Sequence, residues 1–249
     1  MIKQTALITG ATSGIGAAFA KKFASQNFDL IITGRQEDKI QALAKNLLEK
    51  FNISVEVMIL ELANDHDLNL LIDKVKDHKN LKILVNNAGF GDIRDFADSD
   101  LTFCENMIKV HCLATMKLTH AALPNMIASN SGTIINVSSV GAFYPFYKSS
   151  VYVGTKAFIS MLTETIAMEL KGTNIRIQDL CPGMTDTDFF AKIGVDISTR
   201  TKKGNVRVQT PEEVVDSSLR CLKKNKVLCI PGYYNIFMVL RRSLRRFFV

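Results

Sequence analysis

Cysteine and histidine are sparse in this 249-residue chain and fall into no ligand pattern. The five cysteines, at 104, 112, 181, 221 and 229, include no Cys-x-x-Cys, and the four histidines, at 66, 78, 111 and 120, have no metal-ligand spacing. The cysteines therefore read as reduced thiols of a cytoplasmic protein, mostly at core or strand positions, and no metal is expected. No uncharged apolar run reaches 18 residues, which excludes an ordinary membrane-spanning helix. The chain begins Met1-Ile2-Lys3-Gln4 and enters a strand-like run at once, so no signal peptide is expected. No repeat, low-complexity tract or linker divides it, and the length suits one domain with a sizeable core. Acid is in deficit, giving a net charge of +7, but no nucleic-acid motif accompanies the basic excess and nucleic acid is not an expected partner.

What is present is alternation. Strand-like runs at 5–8, 30–33, 55–60, 82–85, 133–137, 175–180 and 227–230 are separated by helical runs at 17–25, 39–50, 66–76, about 103–128, and from Tyr152 to Leu170. The 39–50 segment places Ile40, Leu43, Leu47 and Leu48 at helical spacing. Such alternation predicts an α/β fold: a doubly wound parallel sheet flanked by helices, with right-handed crossovers. Thr210-Pro211-Glu212-Glu213 reads as a capping box with proline in the first helical turn.

The first strand runs into Thr9-Gly10-Ala11-Thr12-Ser13-Gly14-Ile15-Gly16. In this Gly-x3-Gly-x-Gly spacing, Gly10 permits a tight turn, Gly14 lets backbone approach a pyrophosphate, and Gly16 lets helix pack on strand. A helix beginning there offers free N–H groups and a positive dipole end to phosphate. Taken alone, the loop also reads as a glycine-rich turn with no ligand. Downstream, Tyr152-Val153-Gly154-Thr155-Lys156 puts a phenol and an ammonium four residues apart on one helix face, thirteen residues after Ser139. A nearby ammonium favours phenolate and draws the tyrosine toward proton exchange near neutrality, while a serine aimed at the same point can hold a carbonyl oxygen. By itself the tyrosine–lysine pair is equally a solvated helix face.

Taken together and in order, these motifs resemble the short-chain dehydrogenase/reductase family in its compact single-domain branch, from Thr5 to about residue 232. Thr9-Gly10-x3-Gly14-Ile15-Gly16 is similar to its cofactor loop, and Asn86-Asn87-Ala88-Gly89 to the strand-end motif beside the cofactor. Ile135-Asn136-Val137-Ser138-Ser139 resembles the strand delivering the catalytic serine, and Pro182-Gly183 with Thr187 the loop closing over nicotinamide. The resemblance implies a Rossmann-type domain over 1–232 and hydride transfer between nicotinamide and a carbonyl or secondary alcohol. Tyr152 would be the proton donor, Ser139 the holder of the substrate oxygen, and Lys156 the residue that lowers the tyrosine pKa and binds ribose. It assigns Gly10, Thr12, Ser13, Gly14, Ile15, Gly16, Asn87, Ala88, Gly89, Pro182, Gly183, Thr185 and Thr187 to the cofactor. It also implies a homodimer or homotetramer.

Three positions shape that expectation. His111, in Lys109-Val110-His111-Cys112-Leu113, stands where the family usually carries an asparagine that holds a proton-relay water. A relay through one ring nitrogen, a tolerated substitution satisfied by a backbone carbonyl, and impaired catalysis all remain open. Arg35 ends the second strand where an acid would bind a ribose 2′-hydroxyl, and a guanidinium there suits a 2′-phosphate. NADP(H) is therefore the expected cofactor, with NAD(H) left open and a solvated arginine as the alternative reading. Glu61-Leu62 aligns with a family aspartate that contacts adenine.

The substrate side rests on aromatic residues. Phe143, Tyr144 and Phe146, with Met184 and Phe189, are expected to wall the site beside Ser139 and Tyr152, with Phe90 and Phe190 as neighbours. Clustered aromatics favour a bulky apolar ketone, aldehyde or acyl substrate, though they also build cores and interfaces. Residues 184–209, with the basic run Arg200-Thr201-Lys202-Lys203, are expected to form a lid. Residues 233–249 read as a basic amphipathic tail carrying Arg241, Arg242, Arg245 and Arg246. Peripheral contact with an anionic membrane, packing on an oligomer or the lid, and an inert terminal helix stay side by side. A non-catalytic NADP(H)-binding or membrane-associated interaction protein keeping this fold is the alternative to the enzyme.

Overall fold

The first strand shows why the sheet is buried on both faces. In β1 (Thr5–Ile8) Ala6 and Ile8 point into one apolar cluster and Leu7 into the other, and all three are fully buried. A strand covered on both sides must be apolar throughout, which is the pattern of a parallel sheet between helix layers. The computed structural model describes residues 3–195 and 207–245.

Helix α1 (Gly14–Ser25) follows β1 directly, and then β2 (Asp29–Gly34), α2 (Glu37–Lys50), β3 (Val55–Ile59), α3 (Asp65–Asp77) and β4 (Leu81–Asn86) complete the first half. The second half runs α4 (Leu101–Ile108), α5 (Thr115–Ala128), β5 (Gly132–Val137), α6 (Ser150–Glu169), β6 (Ile175–Leu180), α7 (Asp188–Lys192), α8 (Pro211–Lys223), β7 (Leu228–Cys229) and α9 (Tyr233–Arg245). All the strands pair in parallel, in the order β3-β2-β1-β4-β5-β6-β7. The strand order reverses between β1 and β4, and the crevice beyond their carboxyl ends is where such sheets bind ligands. This is a single Rossmann-type domain.

One core layer packs α1, α2 and α8 on the sheet. It includes Phe19 and Phe23, stacked with ring centroids 5.7 Å apart. Truncating either to alanine costs about 3–5 kcal/mol. The other layer packs α3, α5 and α6 on the opposite face. Among the described residues, no helix is long and apolar enough to cross a membrane.

Two elements differ from the sequence expectation. The helix expected over about 103–128 is interrupted by a π-helical turn, Lys109–Ala114, between α4 and α5. No glycine or proline marks it, and His111 within it is fully buried. The strand expected over 227–230 shortens to the two residues of β7, at the sheet edge. The capping box of α8 is formed as expected: Thr210 Oγ1 accepts from Glu213 N–H at 3.1 Å, and Glu213 Oε2 accepts from Thr210 N–H at 3.0 Å. Of the expected lid, residues 196–206 lie outside the described residues, as do 246–249 of the tail.

Candidate active site

The glycine loop is held open for a ligand by contacts that allow no side chain. Gly10 and Gly14 adopt φ of +66° and +56°, in the left-handed region, and a Cβ on Gly10 would stand 2.8 Å from Ala88 Cα. A Cβ on Gly16 would meet Gly10 O at 2.3 Å and Asn87 Nδ2 at 2.6 Å. Asn87 Nδ2 donates to Thr9 O and Gly10 O, both at 3.0 Å, and Thr9 Oγ1 accepts from the N–H groups of Asn87 and Ala88. The end of β4 is thereby laced to the loop after β1. Ser13 sits at the N-cap of α1 with no side-chain capping bond, so the first-turn N–H groups have no capping side chain. A helix start of this kind suits a pyrophosphate. The cradle and its donors fit a dinucleotide.

Ser139, Tyr152 and Lys156 converge at the ends of β5 and α6. Ser139 leaves the carboxyl end of β5 and is fixed by Gly141 N–H, which donates to its Oγ at 3.0 Å. Tyr152 lies in the first turn of α6. The residue is half-buried and lines the cavity, with the Ser139 side chain close enough to act on its hydroxyl. One turn on, Lys156 is buried, donates to Val137 O at 2.9 Å, and holds its Nζ 5.7 Å from the Tyr152 ring centroid. The expectation that Lys156 draws the phenol toward neutrality is not met. Burial pushes Tyr152 above the ordinary tyrosine value, and the Ser139 hydrogen bond offsets only part of the rise. Desolvation acts on both partners, for burial also pulls Lys156 down to about 8.

Under Lys156 lies a carboxylate that the sequence reading did not single out. Asp179 in β6 is fully buried, and accepts from Ser138 Oγ, from Ser160 Oγ at 2.6 Å and from Cys181 Sγ at 3.1 Å. Burial raises its pKa, while those hydrogen bonds and the charge of Lys156 act in the opposite direction. In return, Asp179 supports the charged form of Lys156. The signal was available in the sequence, as an acid inside an otherwise buried strand just before Pro182-Gly183.

His111 is fully buried in the π-helical turn. Its Nε2 accepts from Phe90 N–H at 3.0 Å, so the ring proton sits on Nδ1, 2.8 Å from Thr155 Oγ1. Thr155 Oγ1 donates in turn to Tyr152 O at 2.7 Å. Both ring nitrogens are engaged, so neither is left for a relay water. The ring stacks edge-on between Phe90 and Tyr152, at centroid distances of 5.7 and 6.0 Å. Burial, with the charge of Lys156 second, drives its pKa well below the ordinary histidine value.

A cavity of about 720 Å³ connects these groups. Gly10, Thr12, Ser13, Gly14 and Ile15 line it at one end, with Arg35, Glu61, Leu62, Asn87, Ala88 and Gly89. Ser139, Tyr152, Lys156, Pro182, Gly183, Thr185 and Thr187 also line it, as do Phe90, Tyr144, Phe146, Met184, Phe189 and Phe190. Gly16 and His111 stand behind the wall. Phe143 does not line the cavity; it packs instead beside Val140, Tyr144 and Val239, because the short 3-10 turn Val140–Ala142 carries it away from the opening. The sequence reading missed Tyr234, Asn235 and Met238, which bring helix α9 onto the cavity. Asn235 is buried, donates to Gln209 Oε1 and Pro231 O, and fills the space a Cβ on Gly183 would need. At the far end, Arg35 Nη1 donates to Glu61 Oε2 at 2.8 Å, and its guanidinium lies 5.9 Å from the Phe90 ring centroid. The residue expected to meet a 2′-phosphate already has a carboxylate partner.

Known proteins share this architecture. The sequence pattern described as short chain dehydrogenase matches residues 4–197. Sulfoacetaldehyde reductase 2 of Chromohalobacter salexigens is 37% identical over 186 residues, 74% of this chain and 73% of that protein. A short-chain dehydrogenase from Sphingobium yanoikuyae, solved in complex with NADPH, superposes with a TM-score of 0.86 at 29% identity, covering 98% of this chain and 95% of that one. The bulky-bulky ketone specific alcohol dehydrogenase from Comamonas testosteroni superposes with a TM-score of 0.82 at 26% identity, covering 98% and 94%. A dinucleotide cradle at the β1–β4 switch, a serine, tyrosine and lysine at one wall and a match through most of the chain agree: this protein is an oxidoreductase of the short-chain dehydrogenase family.

Proposed function

We propose that the protein transfers a hydride between NADP(H), in preference to NAD(H), and a carbonyl or secondary alcohol on a bulky apolar substrate. The observation that carries this reading is the convergence of Ser139, Tyr152 and Lys156 on one cavity whose opposite end is the glycine cradle. The bound cofactor supplies or accepts the hydride. Tyr152 gives its hydroxyl proton to the substrate oxygen in reduction and takes it back in oxidation. Ser139 donates a hydrogen bond to the same oxygen. Lys156, pinned by Val137 O, stands one turn from the phenol with its ammonium available to the charge left when the proton leaves, and Asp179 acts against the burial that lowers the lysine. Charges aimed where charge develops, in a site shielded from water, are worth kcal/mol each.

Arg35 supports NADP(H), with Glu61 as an internal competitor for the guanidinium. Phe90, Tyr144, Phe146, Met184, Phe189 and Phe190 give the wall an apolar character, in keeping with the bulky ketones of the Comamonas enzyme rather than with sulfoacetaldehyde. The test is oxidation of NADPH and NADH by the purified protein against ketones and aldehydes from short chains to steroids, with Tyr152→Phe beside it. The expected result is NADPH consumption that rises with apolar size and falls about a thousandfold in the variant, whose cofactor affinity stays within about threefold. Substantial turnover by Tyr152→Phe sinks the proton-donor assignment.

A further inference from the structure

Helix α9 is apolar over more of its circumference than its packing uses. On the inner side Asn235 and Val239 are buried, and Tyr234 and Met238 line the cavity. On the outer side Tyr233, Ile236, Phe237 and Leu240 are 93, 37, 60 and 61% exposed. Their spacing of i, i+3, i+4 and i+7 makes one continuous stripe along a helix about 20 Å long. Single exposed apolar side chains need no explanation, but a stripe of four marks a surface that is covered in use.

The charge on this segment decides what covers it. Arg241, Arg242 and Arg245 lie in the helix and Arg246 follows it, whereas residues 233–249 contain no aspartate or glutamate. A second copy meeting this helix across a two-fold axis would bring no carboxylate from the same segment to face those arginines. An interface of phosphate headgroups over acyl chains answers both features: it takes up apolar side chains at its boundary and attracts a segment of net positive charge. We propose that α9 docks the protein on an anionic phospholipid surface, its outer stripe inserted and the basic, acid-free segment drawn to the headgroup charge. The helix is then a wall shared between lipid and the cavity, since its inner face is fastened by Asn235 to Gln209 and Pro231. An apolar substrate dissolved in the bilayer would lie about one helix diameter, roughly 10 Å, from the site.

The experiment is co-sedimentation of the full chain with vesicles of phosphatidylcholine alone and with roughly one-third phosphatidylglycerol. Binding is expected only to the anionic vesicles. It should fall at least tenfold both in Phe237→Ser/Leu240→Ser and in Arg241→Glu/Arg242→Glu, at about fivefold per arginine neutralised. A second readout is independent of loss-of-function variants. The chain has no tryptophan, so Phe237→Trp places one indole on the stripe, and its emission should shift to the blue on anionic vesicles only. No binding to anionic vesicles, or an unshifted indole, overturns the proposal. Binding that survives the serine pair and is lost in salt means adsorption without insertion and also overturns it. So does a serine pair that changes the sedimentation-equilibrium mass and leaves vesicle binding intact, which would assign the stripe to contact between copies.

Discussion

Replacing His111 by asparagine should flatten the acid side of the stability curve. In the folded protein Nε2 accepts from Phe90 N–H and Nδ1 faces Thr155, so the ring is held neutral in a fully buried site. Its folded pKa therefore lies well below the ordinary histidine value near 6.5. The unfolded chain takes up a proton at this residue as pH drops through about 6.5, and the folded chain does not. More protons bound in the unfolded state means that stability falls as pH falls. Between about pH 7 and about pH 5, one such group costs at most roughly 2 kcal/mol, the limit set by the unfolded pKa alone. His78, also lowered by burial, adds a similar term in both proteins and cancels in the comparison. The smaller asparagine lowers stability through a cavity, but that cost is independent of pH and cancels as well. With no tryptophan to report, urea unfolding is followed by far-ultraviolet circular dichroism at the two pH values. At a urea slope of about 3 kcal/mol per M, the parent midpoint should move further than that of the variant, by up to about 0.7 M. Equal displacements would mean that His111 titrates freely when folded, and the bracing contacts would be wrong.

Glu61→Gln releases Arg35 from its 2.8 Å ion pair, and because the pair is exposed the gain in NADPH affinity should be modest, about two- to fivefold. A parallel gain for NADH in titrations would remove Arg35 from the 2′-phosphate. Asp179→Asn withdraws a charge that supports the Lys156 ammonium, which is lost as pH rises through about 8. The alkaline limb of kcat/KM for reduction should move to lower pH, and an unmoved limb would show that Asp179 does not govern that lysine. Gly16→Ala sets a methyl 2.3 Å from Gly10 O and should weaken cofactor binding at least tenfold by calorimetry, with wild-type affinity refuting the close-packed loop.

The readings that succeeded were local in the chain. The glycine spacing, most of the apolar runs and the Thr210–Glu213 capping box depend on neighbours a few residues away, and these are found where expected. Tyr152 and Lys156 share a face because helix geometry puts i and i+4 together. Ser139 could be aligned because it ends a strand in a motif with fixed neighbours. The π-helical turn had no such signal. It widens the helix at a histidine whose partners, Phe90 N–H and Thr155, lie 21 and 44 residues away.

By itself, then, the order of residues determined a parallel α/β sheet, a phosphate-suited loop after its first strand and a serine, tyrosine and lysine near one edge. Short-range sterics and periodic burial specify those features without knowledge of what lies across the fold. Tertiary structure alone decided that Arg35 is paired with Glu61, that Asp179 sits under Lys156, and that Phe143 faces away from the cavity while Tyr234 and Met238 face into it. It also decided the direction of the Tyr152 shift, because desolvation by burial outweighs the opposing hydrogen bond with Ser139. How far Tyr152 and Lys156 are desolvated depends on segments packed around them from across the fold, and their four-residue spacing does not encode it.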